Sequence, residues 1–74
     1  MNLRQYIIRV QETGGLMRQA NIRALRDYLR SQPDIGLVRE IKGLETSRQL
    51  RVLWEAGLSA ALQKATTDRL EELS

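Results

Sequence analysis

The stretch NLRQYIIRVQETGGLMRQANIRALRDYLRS, residues 2–31, decides the fold class. Near its start, apolar residues recur at the spacing that lines one face of a helix: Leu3, Tyr6, Ile7 and Val10. Asn2 is of a type that caps helix N-termini, and the glycines of Thr13–Gly15 end the pattern. The sequence therefore predicts a short first helix that folds back on a second helix as an antiparallel hairpin.

The second helix is predicted over residues 16–31. Its apolar residues share one broad face at 100° per residue: Met17, Ala20, Ala24, Leu25, Tyr28 and Leu29. Arg23, Arg26 and Arg30 lie on the opposite side, within about 60° of one another. With Arg18, they form a candidate surface for a polyanion or an acidic partner, because guanidinium groups pair with phosphates and carboxylates. The alternative is an ordinary solvated face.

Three further helices are predicted in the second half of the chain. Asp34 is expected to cap one over about residues 35–42, and Thr46 and Gln49 have the capping-box spacing that opens the next. No segment alternates apolar and polar residues as a strand would, and no Asn-Gly or Asp-Gly turn occurs. The predicted fold is all-α: a single domain over residues 1–74, a bundle of about four to five short helices arranged as helical hairpins.

The segment around Gly57 resembles the turn of helix-turn-helix DNA readers. In those proteins a helix ends in glycine, an apolar residue follows and a polar residue caps the recognition helix, which is the order of Gly57–Ser59. Two positions depart from the pattern, since Leu53 is bulky where a small residue is usual and Gln63 is polar where an apolar one is usual. The predicted recognition helix, residues 60–73, also carries more carboxylates than cations. The alternative is an ordinary helix hairpin with a left-handed Schellman cap at Gly57.

Two residues are candidate interface positions. Asn21 falls within the predicted apolar face, where an unpartnered amide would cost about 1–3 kcal/mol. It is expected to fix the register of a neighbouring helix or to mark where a partner docks, unless the helix turns it towards solvent. Trp54 is expected in the core together with Tyr28, with their polar tips at its boundary. The alternative places Trp54 at an interface, where aromatic residues are favoured.

Composition limits the chemistry. The chain has no cysteine and no histidine, which excludes disulfides, thiolate or imidazole metal sites and the commonest general base. It has no GxxxxGK phosphate-binding loop, and its carboxylates form no convincing metal cluster. We therefore expect a protein that is not an enzyme, with no catalytic residue, cofactor or metal.

The positive charge is concentrated in the first part of the chain. Residues 1–30 carry six arginines against two acidic residues, a balance of +4, whereas residues 31–74 carry six basic and seven acidic residues, a balance of −1. No apolar run approaches the ~20 residues that cross a bilayer, and the N-terminus does not read as a signal peptide. A cytoplasmic protein without a membrane partner is expected.

Two functions follow from these observations. The favoured one is a small helical binding module that mediates protein–protein interaction or self-association, because so small a core without disulfides gains from packing on a partner. The alternative is a small DNA-binding protein that uses the imperfect helix-turn-helix around Gly57 and the basic helix 16–31. It predicts salt-sensitive binding to duplex DNA.

Overall fold

Five α-helices surround one apolar core in the computed structural model, which describes all 74 residues. None of them combines the length and the apolarity that crossing a bilayer needs. The chain is all-α, as its periodicity predicted. The helices are α1 (Leu3–Gln11), α2 (Gly15–Ser31), α3 (Asp34–Lys42), α4 (Ser47–Ala56) and α5 (Ala60–Leu73).

Side-chain caps set three of the helix starts. The Asn2 side chain accepts a hydrogen bond from the Gln5 N–H at 3.0 Å, and the Gln5 side chain accepts one from the Asn2 N–H at 2.8 Å. Thr46 and Gln49 form the same reciprocal box at α4, and the Ser59 hydroxyl caps α5. The caps at Asn2 and Thr46 confirm predictions made from residue type and spacing, because both contacts lie within one turn.

Two helix ends differ from the prediction. Asp34 is the first residue of α3 and Pro33 takes the N-cap position, so the carboxylate contributes its charge to the helix start without capping it. Gly57 has φ +91° and ψ 131°, which is not the left-handed helical conformation, and no Schellman hydrogen bond forms. The carbonyl of Ala56 instead accepts a hydrogen bond from Nε of Arg26 at 2.9 Å.

The first two helices form the predicted antiparallel hairpin. The rings of Tyr6 and Tyr28 stack with their centroids 4.7 Å apart, which joins the start of α1 to the end of α2. At the opposite end of the pair, Asn21 bonds to Thr13. Residues early in α1 therefore lie beside residues late in α2.

Helices α3 and α5 pack against each other in parallel. Their starts are joined by the Ser59 hydroxyl, 3.3 Å from Asp34 Oδ2, and their ends by Nε of Arg69, 2.8 Å from the Leu44 carbonyl oxygen. Helix α4 connects them and packs on α1, α2 and α5. The core between the five helices is a single cluster: Leu3, Ile7, Val10, Leu25, Leu29, Leu37, Ile41, Leu44, Leu50, Val52, Leu53, Ala56, Leu62 and Ala65.

The buried face of α2 is not the predicted one. Leu25 and Leu29 are buried, but Met17, Ala20 and Ala24 are exposed. The helix is turned towards Arg18 and Arg26, which brings the half-buried Ile22 against the core. Burial of a branched side chain gains more free energy than burial of an alanine methyl, and arginine covers apolar surface with its stem while its head group finds a partner.

Candidate interaction surface on the second helix

Arg18 is engaged by α4. Its guanidinium makes a two-pronged ion pair with Glu55, with N···O distances of 2.7 and 3.0 Å. The hydrogen bond from Arg18 lowers the pKa of Glu55, and the same bond raises the pKa of Arg18. A partner would have to compete with this carboxylate for the Arg18 side chain.

Arg26 is also engaged by α4. Its Nε donates to the carbonyl oxygen of Ala56 at the end of α4. Helix α4 has no basic residue in its own last turn, so Arg26 supplies the positive charge that the helix C-terminus favours. Arg18 and Arg26 together hold α2 against the C-terminal end of α4.

Arg23 and Arg30 are exposed and belong to none of the molecule's three ion pairs. Arg30 borders an open groove of about 500 Å³ between the end of α2 and the turn at Gly57. The four arginines predicted as one surface therefore divide into two that bind α4 and two that face solvent.

Asn21 is half-buried beside the end of α1. Its amide nitrogen donates to the Arg9 carbonyl oxygen at 3.3 Å and to Oγ1 of Thr13 at 3.0 Å. These contacts provide partners for the last turn of α1 and tie it to α2. They fit the register role predicted for Asn21, while its role in docking stays a prediction.

Trp54 lies outside the core, with 42% of its surface exposed, so the expectation that it is a core residue is wrong. Its place at an interface stays a prediction. Tyr28 is half-buried as expected, and its hydroxyl lies 3.0–3.1 Å from both carboxylate oxygens of Glu40. Burial raises the pKa of Tyr28, and the hydrogen bond to Glu40 raises it further.

The cations of α5 are paired within the protein. Nζ of Lys64 lies 2.9 Å from Oδ2 of Asp68, and Nη1 of Arg69 lies 3.1 Å from Oε2 of Glu72. Arg69 also donates to the Leu44 carbonyl oxygen. The helix that would read DNA in a helix-turn-helix therefore presents no free cationic side chain.

The most exposed large apolar side chain belongs to α2 and was not predicted as a site. Leu16 is 83% exposed and Met17 is 63% exposed. We call the solvent-facing side of this helix the outer face of α2, formed by Leu16, Met17, Ala20, Arg23, Ala24 and Asp27, all exposed. The sequence does contain its signal: the large residues Ile22, Leu25 and Leu29 define a core-facing side that excludes both alanines.

No group of three carboxylates comes together as a metal site would need. Comparison with protein-family models, with curated proteins and with solved structures gives no match.

Proposed function

We propose that this chain is a non-enzymatic binding module that docks a protein partner on the outer face of α2. The observation that carries the proposal is the exposure of Leu16 and Met17, side by side at the start of the helix. Full burial of one such side chain is worth about 1.5–3 kcal/mol, a gain that folding of the chain alone leaves unused. The absence of a cofactor and the cytoplasmic location stay predictions from the sequence.

The rest of the outer face of α2 suits close contact. Ala20 and Ala24 follow Leu16 at intervals of four residues, so they continue one side of the helix with small side chains. The distance between packed helices depends on the side chains at their contact, and alanine allows a short one. Arg23 and Asp27 add charges that would orient a partner.

Photo-crosslinking tests this proposal. The photoreactive residue p-benzoylphenylalanine is placed at position 16 in one protein and at position 39, an exposed position of α3, in the control. Each protein is irradiated in extract of its native cells and, in a second sample, alone at about 1 mM. The proposal predicts a discrete protein adduct from position 16 that position 39 does not give. No adduct from position 16, or the same adducts from both positions, would refute it.

Binding to duplex DNA is a second proposal, supported by the unpaired Arg23 and Arg30 of the basic helix. Lys64 and Arg69 do not support it, because acidic neighbours pair with both. Fluorescence anisotropy of a labelled duplex, titrated at low and then moderate salt, tests it. Binding through these arginines predicts that Arg23→Ala and Arg30→Ala each weaken binding and reduce the salt slope by about 1. Absence of binding at low salt would remove DNA as a ligand.

A further inference from the structure

We propose that the occupant of the outer face of α2 is the same face of a second copy of this chain, packed antiparallel about a two-fold axis at Ala20. This inference rests on the docking function proposed above and names its partner. A two-fold interface uses one surface patch twice, so that patch must complement itself in size and in charge. The outer face of α2 meets both conditions.

The side-chain sizes are self-complementary. In an antiparallel pair centred on Ala20, residues equally distant from that position lie opposite each other. Ala20 faces Ala20 of the second copy, and Leu16 faces Ala24 of the second copy. The smallest side chains thus meet at the axis and a large one meets a small one on either side, which lets two helices approach closely.

The charges are self-complementary in the same register. Gly14, at the N-cap of α2, provides no side-chain cap, and the first turn has no acidic residue. The N–H groups of the first turn of α2 therefore have no side-chain acceptor from the N-cap, and no acidic residue of that turn balances the positive end of the helix dipole. Asp27 is exposed and belongs to no ion pair. In the antiparallel helix pair, Asp27 lies opposite Thr13 of the second copy, beside the uncapped start of that copy's α2. The two-fold axis repeats this contact, so it occurs twice in the dimer.

The size of the contact limits its strength. Helix α2 has 17 residues, so it is roughly 25 Å long. One pair of such helices buries less than the standard interface of about 1,600 Å². Arg23, opposite Met17 of the second copy, adds cover with its aliphatic stem. We expect a dimer with a dissociation constant between about 10 µM and about 1 mM.

Sedimentation equilibrium of the full 8.5 kDa chain tests the inference, at loading concentrations up to about 1 mM. Ala20→Arg places two like charges at the axis, and Asp27→Arg places a cation at the positive helix start. Each is expected to lower the association constant by about tenfold or more. The control is Glu71→Arg, which makes the same charge change as Asp27→Arg at an exposed carboxylate of α5 that belongs to no ion pair. It should leave association unchanged, and circular dichroism should show all three variants folded.

The outcomes separate this inference from the docking function. A concentration-dependent dimer weakened by both variants but not by the control supports it, as does an adduct of two chains from position 16. A monomer at every concentration overturns it, and so does a dimer whose association constant is unchanged in both variants. If the chain is a monomer and position 16 still gives an adduct with a different protein, the docking function stands and the second copy is excluded. A monomer without any adduct excludes both.

Discussion

Arg23 and Arg26 lie three positions apart on α2, but only Arg26 has a partner within the fold. Its Nε donates to the carbonyl oxygen of Ala56, which is otherwise left without a cap at the end of α4. Arg23 is exposed. The pair therefore offers a matched comparison of the same substitution at a structural and at a solvent-facing position.

Arg26→Ala is expected to lower the free energy of unfolding by about 1–2 kcal/mol, because it removes a charged hydrogen bond and leaves a helix-end carbonyl unpaired. Arg23→Ala should change it by no more than about 0.5 kcal/mol. Urea unfolding followed by circular dichroism measures both. Equal losses in the two variants would show that the Arg26 contact is not structural.

The ion pair of Arg18 and Glu55 predicts a pH dependence of stability. Arg18 lowers the pKa of Glu55 below its ordinary value of 4.5. A carboxyl group with a lowered folded-state pKa stabilises the fold above its unfolded pKa, and that stability is lost as pH falls through the folded pKa. Glu55→Gln should therefore unfold at lower urea than the parent chain at neutral pH, and the gap should close well below pH 4.5. A gap that does not depend on pH would contradict this role.

At the residue scale, the sequence predicted what lies within one turn of helix. The capping roles of Asn2 and Thr46 could be predicted because donor and acceptor are three residues apart. The contact of Arg26 with Ala56 joins residues 30 positions apart and depends on how α2 packs on α4, so no local sequence pattern predicts it. For the same reason, the sequence did not predict that two arginines of α2 contact α4 while Arg23 and Arg30 face solvent.

Two glycines, one in the turn between α4 and α5 and one inside α3, should respond in opposite ways to substitution by alanine. Gly57 has φ +91°, a conformation that side chains with a Cβ rarely adopt, whereas Gly36 lies inside α3. A Cβ added at either position would meet nothing within 4 Å. The two therefore differ only in what their backbone requires.

Gly57→Ala is expected to lower the free energy of unfolding by about 1–3 kcal/mol, the typical cost of a strained backbone conformation. Gly36→Ala should raise it by about 0.5–1 kcal/mol, because alanine loses less conformational entropy in a helix. Thermal unfolding of the two variants measures the contrast. If both substitutions shift stability in the same direction, the positive φ at Gly57 is not a requirement of the α4–α5 turn.

At the element scale, helix existence was predictable but helix orientation was not. Apolar spacing located α2 correctly, yet its pattern allowed two overlapping faces, one through Met17 and Ala24 and one through Ile22 and Leu29. Helix α2 packs on α1 and on α4, and this packing buries the second face. That choice is a tertiary effect, and it creates the exposed surface on which the proposed function depends.

The whole molecule joins a small core to an exposed apolar surface on α2. The all-α class followed from composition and periodicity, but the parallel packing of α3 and α5 could not, because those helices are distant in sequence. Substitution of a core leucine should therefore lower the free energy of unfolding, whereas substitution of a leucine on the outer face of α2 should weaken binding. Leu53 is fully buried and Leu16 is 83% exposed.

Leu53→Ala is expected to cost about 2–5 kcal/mol, which approaches the whole stability of a domain this small, so the variant should be largely unfolded. Leu16→Ala should change stability by no more than about 0.5 kcal/mol and weaken docking. Circular dichroism and urea unfolding give the first comparison. A strongly destabilised Leu16→Ala would show that this side chain belongs to the core.

The chain contains an internal probe of the central claim that the outer face of α2 binds a partner. It has two methionines, Met17 on that face and Met1 before the N-cap of α1, and both are more than half exposed. The most direct measurement is a ¹³C-methyl-methionine NMR spectrum, recorded as the concentration is raised and again after addition of native cell extract. We predict that the Met17 methyl signal shifts or broadens in at least one of these conditions while the Met1 signal stays unchanged. A Met17 signal that responds to neither condition, or two methionines that respond alike, would contradict the claim.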